Sequence, residues 1–239
     1  MLQPVGRVTV GIAVRWLRLS AAAVHDRPDW LSELDAAIGD GDHGINLDRG
    51  FERIIVELDA HRIATDDPGR MLETAGRLIL GTVGGASGAL YGRAFMRAGD
   101  GLAVPAGPGQ GTLDRFVVAI ADGVDSIGAL GRSVPGEKTM LDALAPAVRV
   151  LRIAAADGTP FLAAVRSAVA AAEAGAQSTI PLIATKGRAS YLGERSIGHL
   201  DPGAASSALM LAALVEAAEQ EAAEPVEGTR GHDSLHGRG

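Results

Sequence analysis

The sequence predicts an all-α protein built as a single domain. Apolar residues recur at helical spacing along most of the chain, and the alternation typical of strands is nearly absent. Hydrophobic residues make up 47% of the chain but aromatic residues only 3%, so Ala, Leu, Val and Ile supply the core. Such side chains suit closely packed helices. Because no Pro/Gly/Ser-rich linker divides the chain, we expect one domain over 1–222 and a polar, disordered tail over 223–239.

Amphipathic periodicity predicts eight helices. In the fifth, Leu113, Phe116, Val117 and Ile120 fall on one stripe. The first resembles a signal peptide in its apolar content, but arginines interrupt it and its apolar residues recur at helical spacing, which favours an amphipathic helix. Pro146 lies inside the sixth helix and predicts a kink there. The predicted bounds are 5–25, 44–60, 67–82, 84–99, 111–131, 139–157, 159–178 and 202–222.

Charge and composition exclude several classes of function. The net charge of −7 at pH 7 gives no general attraction to a polyanion, so nucleic-acid binding is disfavoured. Cysteine is absent, which excludes disulfides, thiolate metal sites and a cysteine nucleophile. No segment approaches the roughly 18 consecutive apolar residues of a membrane span. We therefore expect a cytoplasmic protein that binds neither nucleic acid nor membrane and holds any metal through oxygen or imidazole.

Three loops stand out from this helical background, and the first is rich in aspartate and glycine. Asp35, Asp40 and Asp42 place three carboxylates within eight residues, and the glycines among them allow the backbone to bring them together. Converging carboxylates repel strongly unless a cation neutralises them. One interpretation is a metal site; the other is a solvated turn that caps the following helix.

An EF-hand calcium site does not fit this first loop. With Asp40 as its first position, the required glycine would be Ile45 and the bidentate glutamate would be Phe51. An oxygen-only cluster with few ligands suits magnesium, which keeps waters and takes further ligands from phosphates. His43 lies beside the free amides of the next helix, where anions bind. Taken alone, however, His43 is better interpreted as a capping or surface residue, and Asn46 by itself is similarly ambiguous.

Glycines are also dense in the second loop, residues 81–88. They remove side chains from the start of the fourth helix, so a ligand could approach the backbone amides and the Ser87 hydroxyl. Alternatively, the glycines only allow two helices to cross closely. The interpretations are evenly balanced, because the cluster lacks a lysine and the chain has no Walker A pattern.

The third loop, residues 185–203, is polar and punctuated by glycine. A stretch of about twenty residues without periodicity is uncommon inside a compact domain unless it is a lid or disordered. Cations suited to phosphates, and apolar side chains suited to anchoring, favour a lid. Asp201 is expected to cap the last helix. The cations are Lys186, Arg188 and Arg195, and the expected anchors are Tyr191, Leu192 and Ile197.

Four strings of the sequence together resemble the L subunit of dihydroxyacetone kinase. They occur in that family's order, and the resemblance extends across nearly the whole chain except its tail. Each string alone is moderately specific, whereas all four in order are very specific. His43 favours this family over the related bacterial fatty-acid kinases, which usually have Thr there. The strings are D-x-x-I-G-D-G-D-H-G-x-N (35–46), G-G-A-S-G (84–88), P-G-E-K-T-M (135–140) and K-G-R-A-S-Y-L-G-E-R-S-I-G-H-x-D-P-G (186–203).

The resemblance implies an up-and-down barrel of eight antiparallel helices with ADP or ATP at one open end. It implies that Asp35, Asp40 and Asp42 hold two magnesium ions that bridge the phosphates and that, with Arg188, they support transfer. No residue is implied as a certain catalytic group. The implied nucleotide contacts are His43, Gly44, Ile45, Asn46, Ala86, Ser87, Gly131, Thr139, Met140, Lys186, Arg188, Asp201, Pro202 and Gly203.

The resemblance also implies partners. In the family, a separate K subunit holds dihydroxyacetone covalently on its own histidine. In the phosphotransferase-system branch, a phosphocarrier M subunit rephosphorylates the ADP in place; in the other branch, ATP exchanges during the phosphorylation of dihydroxyacetone or small keto sugars. The first branch is preferred because no K domain is fused to this chain. An ADP-loaded regulatory module that docks on a transcription factor is a further alternative, and a homodimer stays open.

Overall fold

The computed structural model describes residues 8–63, 65–103 and 112–223. Within these ranges the chain forms nine α-helices, one 3-10 helix and no strand, which confirms the all-α prediction. The α-helices are α1 (Val10–His25), α2 (Pro28–Ile38), α3 (His43–Asp59), α4 (Pro68–Thr82), α5 (Gly85–Ala103), α6 (Thr112–Gly131), α7 (Leu141–Ala156), α8 (Phe161–Ser178) and α9 (Pro202–Ala223), and the 3-10 helix, η1 (Arg188–Ser196), lies between α8 and α9.

Eight of the helices form a closed ring, as the barrel prediction requires. α1 packs on α3, the helices from α3 to α9 pack on one another in chain order, and α9 returns to pack on α1. These are the eight helices that the periodicity predicts. Most bounds agree within two residues, although α1 begins at Val10 and α5 extends to Ala103. The connections between successive helices are mostly short, so neighbours in the ring run antiparallel.

Helix α2 is the element that the sequence reasoning missed. It is only 11 residues long and buries just Leu31 and Ile38, so it carries little periodic signal. Pro28 occupies its first turn, where a proline costs no hydrogen bond. The helix lies outside the ring against α3, α9 and η1. Its C-terminal end delivers Asp35 to the aspartate loop.

Side-chain contacts between the first and last helices fix where the ring begins and closes. Thr9 Oγ1 accepts a hydrogen bond from the Ile12 amide, which explains why α1 starts at Val10. The same hydroxyl donates to Glu221 at 2.6 Å, and Arg15 pairs with Glu221.

Pro146, where the sequence predicts a kink, lies inside α7, and the helix runs continuously across it.

The ring interior is filled mainly by alanine and aliphatic side chains, as the composition predicts. Trp16 and Phe95 lie 5.6 Å apart between ring centroids, and Phe116 meets Phe161 edge-on at 5.2 Å. None of the described helices is long and apolar enough to cross a membrane. Of the tail predicted over 223–239, Ala223 ends α9, and the rest lies outside the described residues.

Candidate nucleotide and metal site

A cleft of about 310 Å³ opens at one end of the ring. α3, α5, α7 and α9 begin at this end and α6 ends there, so four helix N-termini surround the opening. A helix N-terminus carries unpaired amides and the positive end of the helix dipole. The ring therefore presents an environment that favours an anionic ligand, at the same end as the aspartate loop.

Three carboxylates converge at the mouth of this cleft. One oxygen from each of Asp35, Asp40 and Asp42 lies within 4.8 Å of the other two. Asp40 and Asp42 are exposed, and Asp35 is half-buried. The structure thus brings together the predicted metal ligands. Because hard oxygen donors in this number suit magnesium, which takes further ligands from water and phosphate, the donor set fits the implied ion.

Asp35 organises the loop that carries the other two aspartates. Its Oδ2 accepts hydrogen bonds from the backbone amides of Asp42, at 2.9 Å, and His43, at 3.2 Å. Asp42 occupies the N-cap position of α3 but makes no capping bond with its own side chain. The carboxylate of Asp42 is therefore not used by the helix, which weakens the interpretation of this loop as a simple capping turn.

Gly44 allows α3 to approach α2 at the base of the loop. A Cβ atom at this position would lie 1.9 Å from the Pro28 carbonyl oxygen, so any larger residue would push the two helices apart. The next two amides are also committed: the Ile45 amide donates to Ser32 Oγ at 3.3 Å, and the Asn46 amide donates to the Asp42 carbonyl. These residues shape the loop from outside the cleft.

His43 is the buried member of the loop. Its side chain lines the cleft and is only 6% exposed, which excludes a surface histidine. Nε2 lies 2.8 Å from Ser206 Oγ. Burial lowers the pKa of His43, and the charges of Asp35 and Asp42 oppose that effect. The imidazole is thus held in place next to the predicted metal ligands.

The segment 185–203 folds as a lid over the wall of the cleft that lies opposite the aspartate loop. Its 3-10 helix places Arg188 in an ion pair with Asp40 across the cleft. The anchoring of this lid differs from the prediction, because Tyr191 is 85% exposed and Ile197 is also exposed. Ser196 is buried instead, and its hydroxyl accepts from the Ala184 amide at 2.9 Å. Of the three predicted apolar anchors, only Leu192 is half-buried, and polar contacts of Ser196 hold the lid as well.

A buried lysine completes that anchoring. Lys138 is 1% exposed, and its ammonium group donates to the Thr179 carbonyl at 2.6 Å and to the His199 carbonyl. The neighbouring Glu137 accepts from Thr185 Oγ1 at 3.0 Å. Two adjacent residues of the α6–α7 connection therefore hold both ends of the lid.

The same connection has a fixed shape at the cleft wall. Asp142 Oδ2 accepts from the Thr139 amide at 2.7 Å, and Oδ1 accepts from the Gly136 amide. Thr139 and Met140 line the cleft together with Gly131 at the end of α6. This wall is therefore formed by the protein's own hydrogen bonds.

Asp201 caps α9, as predicted. Its Oδ2 accepts from the Ala204 amide at 2.7 Å, and its own amide donates to Thr179 Oγ1 at 3.0 Å. Burial raises the pKa of Asp201 to about 7, against the effect of the Ala204 hydrogen bond. The carboxyl thus lies in the cleft in an environment that disfavours its charge.

The second glycine-rich loop reaches the cleft at its helix start. Gly85 adopts a φ of 68° with open space around it, a conformation that favours glycine. Ala86 and Ser87 follow it and line the cleft. This placement supports the interpretation of the loop as a ligand contact at the N-terminus of α5.

The structure gathers most of the predicted site residues around one cleft. The exceptions are Gly44, Ile45 and Asn46, which do not line it; Ile45 is exposed and Asn46 accepts from Arg49. The residues brought together are Asp35, Asp40, Asp42, His43, Ala86, Ser87, Gly131, Thr139, Met140, Lys186, Arg188, Asp201, Pro202 and Gly203.

Sequence reasoning missed Lys138 and Ser133, which also line the cleft. Lys138 stands within the string P-G-E-K-T-M, but nothing in that string indicates that its ammonium group is buried. Long lysine side chains are usually exposed, and only its carbonyl partners, far away in sequence, reveal its role.

Comparison with known proteins agrees with this geometry. A family model for the DAK2 domain matches residues 37–216. The chain is 41% identical over 207 residues to "PEP-dependent dihydroxyacetone kinase, ADP-binding subunit DhaL" of Escherichia coli K12, covering 87% of this chain and 96% of that protein. It is 44% identical over 195 residues to "PEP-dependent dihydroxyacetone kinase 2, ADP-binding subunit DhaL" of Listeria innocua, covering 82% of this chain and 88% of that protein.

A solved structure shares the fold. The dihydroxyacetone kinase of C. freundii, in complex with AMP-PNP and Mg²⁺, superimposes with a TM-score of 0.68 at 27% identity. The match covers 90% of this chain and 35% of that kinase, so this chain spans about a third of its length. On the family model and on identity across nearly the full length of its relatives, the chain belongs to the DAK2 domain family as a DhaL-type subunit.

Proposed function

We propose that this chain is the nucleotide-binding subunit of a dihydroxyacetone-kinase-type phosphotransferase. It holds ADP or ATP through two magnesium ions and passes the phosphoryl group to dihydroxyacetone on a partner K subunit. The observation that carries this proposal is the convergence of Asp35, Asp40 and Asp42 at a cleft ringed by helix N-termini. The names of the Escherichia coli and Listeria relatives support the same activity.

Phosphoryl transfer asks a protein mainly to position the groups and to stabilise the charge around the moving phosphoryl. In this chain the three aspartates would hold the magnesium ions, whose charge offsets that of the phosphates. Arg188, which pairs with Asp40, would bring a cation to the transferred group from the lid. The wall formed by Gly131, Thr139 and Met140 would receive the adenosine end, away from the aspartates.

The phosphoryl donor in this proposal is a phosphocarrier of the phosphotransferase system, which recharges the bound ADP in place. Two relatives are named as phosphoenolpyruvate-dependent, and one from Lactococcus lactis, 36% identical over 209 residues, is named as PTS-dependent. The partners are then a K subunit and a phosphocarrier M subunit. The place of action is the cytoplasm, where nucleotides and phosphocarriers are found.

A second candidate is a kinase subunit that uses exchangeable ATP on a small keto sugar. The chain is 38% identical over 189 residues to "L-erythrulose 1-kinase" of Mycolicibacterium smegmatis, of which it covers 32%. It also resembles human "Triokinase/FMN cyclase" at 34% identity over 186 residues. In both, the matched region is only part of a longer chain.

Purification without chelators, followed by identification of the bound nucleotide, separates these candidates. Tightly retained ADP that a phosphocarrier rephosphorylates, with transfer to dihydroxyacetone when a K subunit is added, supports the first. An empty site that turns over added ATP with a K subunit supports the second. A protein that neither binds ADP with magnesium nor supports transfer with any donor contradicts both.

A further inference from the structure

Beneath the cleft, a buried group of hydroxyls joins His43 to the core of the ring. Ser206 Oγ lies 2.8 Å from His43 Nε2 and 2.7 Å from the Tyr91 hydroxyl. Tyr91 also meets Ser207 Oγ at 2.8 Å and donates to the Gly203 carbonyl at 2.9 Å. These contacts connect the starts of α3 and α9 with α5.

Only one of these hydroxyls touches the ring of His43. Ser206 itself does not line the cleft, and neither does Tyr91, whereas His43 and Gly203 do. Ser207 is bonded to Tyr91. Among the residues that the structure describes, Ser206 is therefore the side chain that links the imidazole to the hydroxyls below it.

The hydrogen bonds of this group can all be satisfied at once. With the proton of His43 on Nε2, the imidazole donates to Ser206, Ser206 and Ser207 donate to Tyr91, and Tyr91 donates to the Gly203 carbonyl. All three hydroxyl-bearing residues are buried, so few waters compete for these bonds. A satisfied buried network of this kind fixes the orientation of its members, including the imidazole ring.

Ser206 and Ser207 stand out from the apolar residues that α9 buries around them. After Gly203, the buried residues of this helix other than the two serines are Ala, Leu and Met, and a buried hydroxyl among such residues is unfavourable unless it is hydrogen-bonded. Alanine at 206 would fill the same position without that requirement. The polar residue is placed where it meets His43, which points to the site and not to the packing of the ring.

We infer that Ser206, supported by Tyr91, is a positioning residue for the nucleotide site and acts through His43. It holds the imidazole against the aspartate loop, so that the ring meets the phosphates of a bound nucleotide in one orientation. The inference rests on the proposed function, because it requires that His43 contacts the nucleotide.

A double-mutant cycle of Ser206 and His43 tests this inference. The quantity measured is the affinity of the full chain for ADP in the presence of magnesium, by titration calorimetry. Ser206→Ala is expected to weaken binding roughly 5- to 30-fold, the usual effect of one lost hydrogen bond in a buried site. In a His43→Ala background, Ser206→Ala is expected to change affinity by less than about 2-fold, because the residue through which it acts is gone. Ser206→Thr retains the hydroxyl and is expected to restore most of the affinity.

Ser207→Ala is the matched control. It removes a hydroxyl from the same helix and the same tyrosine but not from His43, so its effect on the melting temperature resembles that of Ser206→Ala, while ADP affinity changes by less than about 2-fold. Equal losses of ADP affinity in both serine variants, or equal effects of Ser206→Ala with and without His43, overturn the inference and leave the proposed function intact. Unchanged affinity in His43→Ala also overturns it. A wild-type chain that binds no ADP with magnesium overturns the proposed function as well.

Discussion

The two walls of the cleft are built in opposite ways. On the wall formed by the aspartate loop, three carboxylates converge at the surface, and Arg188 of the lid pairs with Asp40. On the wall formed by Gly131, Thr139 and Met140, Lys138 and Asp142 bond to backbone groups of the protein itself and fix the α6–α7 connection. The first wall needs cations to be stable in the presence of a nucleotide, whereas the second is already formed.

Among the changes that distinguish the two walls, removing divalent cations should have the largest effect on ADP binding. Without magnesium, a diphosphate and three carboxylates repel each other across a few ångströms, so we expect EDTA to weaken ADP binding roughly 100-fold or more. Titration calorimetry with and without chelator measures this, and restored magnesium should reverse it. ADP affinity independent of magnesium would mean that both walls are preformed.

Replacing the lid cation should have an intermediate effect. Arg188→Gln is expected to weaken ADP binding roughly 10-fold, because a charge-assisted hydrogen bond to phosphate is lost. The matched control is Arg166→Gln, an exposed arginine paired with Glu219 at 2.5 Å on α8 and α9. If both variants bind ADP as tightly as the wild type, Arg188 does not reach the nucleotide and pairs only with Asp40.

Lys138→Met should act on the preformed wall and change affinity least. The buried Thr179 carbonyl and the part-buried His199 carbonyl lose their donor, so we expect the lid to open more often and ADP to dissociate roughly 5-fold faster. Hydrogen exchange should rise over residues 184–199 and stay unchanged in α4, which serves as the internal reference. Unaltered exchange in the lid segment would show that other contacts hold it.

The ring of helices was predictable because its signal is local and repeated. Apolar residues recur at helical spacing over several turns, as in Leu113, Phe116 and Ile120 of α6, and the structure confirms the order of the eight ring helices and most of their bounds. α2 escaped prediction because only Leu31 and Ile38 are buried in its 11 residues. A short helix outside the ring has too few turns to show a period.

The site was predictable where several chemically unusual residues are adjacent in sequence, as in Asp35, Asp40 and Asp42. It was not predictable where function depends on contacts between distant residues. Ser206 lies 163 positions from His43, and the partners of Lys138 lie 41 and 61 positions away. Tyr191 misled because an aromatic side chain suggests burial, yet polar bonds through Ser196 anchor the lid. Such pairings arise only from the fold.

The central claim is that the three aspartates hold a nucleotide through divalent cations, and substitution of each by alanine tests it most directly. Asp35→Ala, Asp40→Ala and Asp42→Ala should each abolish retention of ADP with magnesium, while helical content by circular dichroism persists. Asp29→Ala, an exposed aspartate in the first turn of α2, is the control and should bind normally. Undiminished ADP content in all three cluster variants would contradict the account.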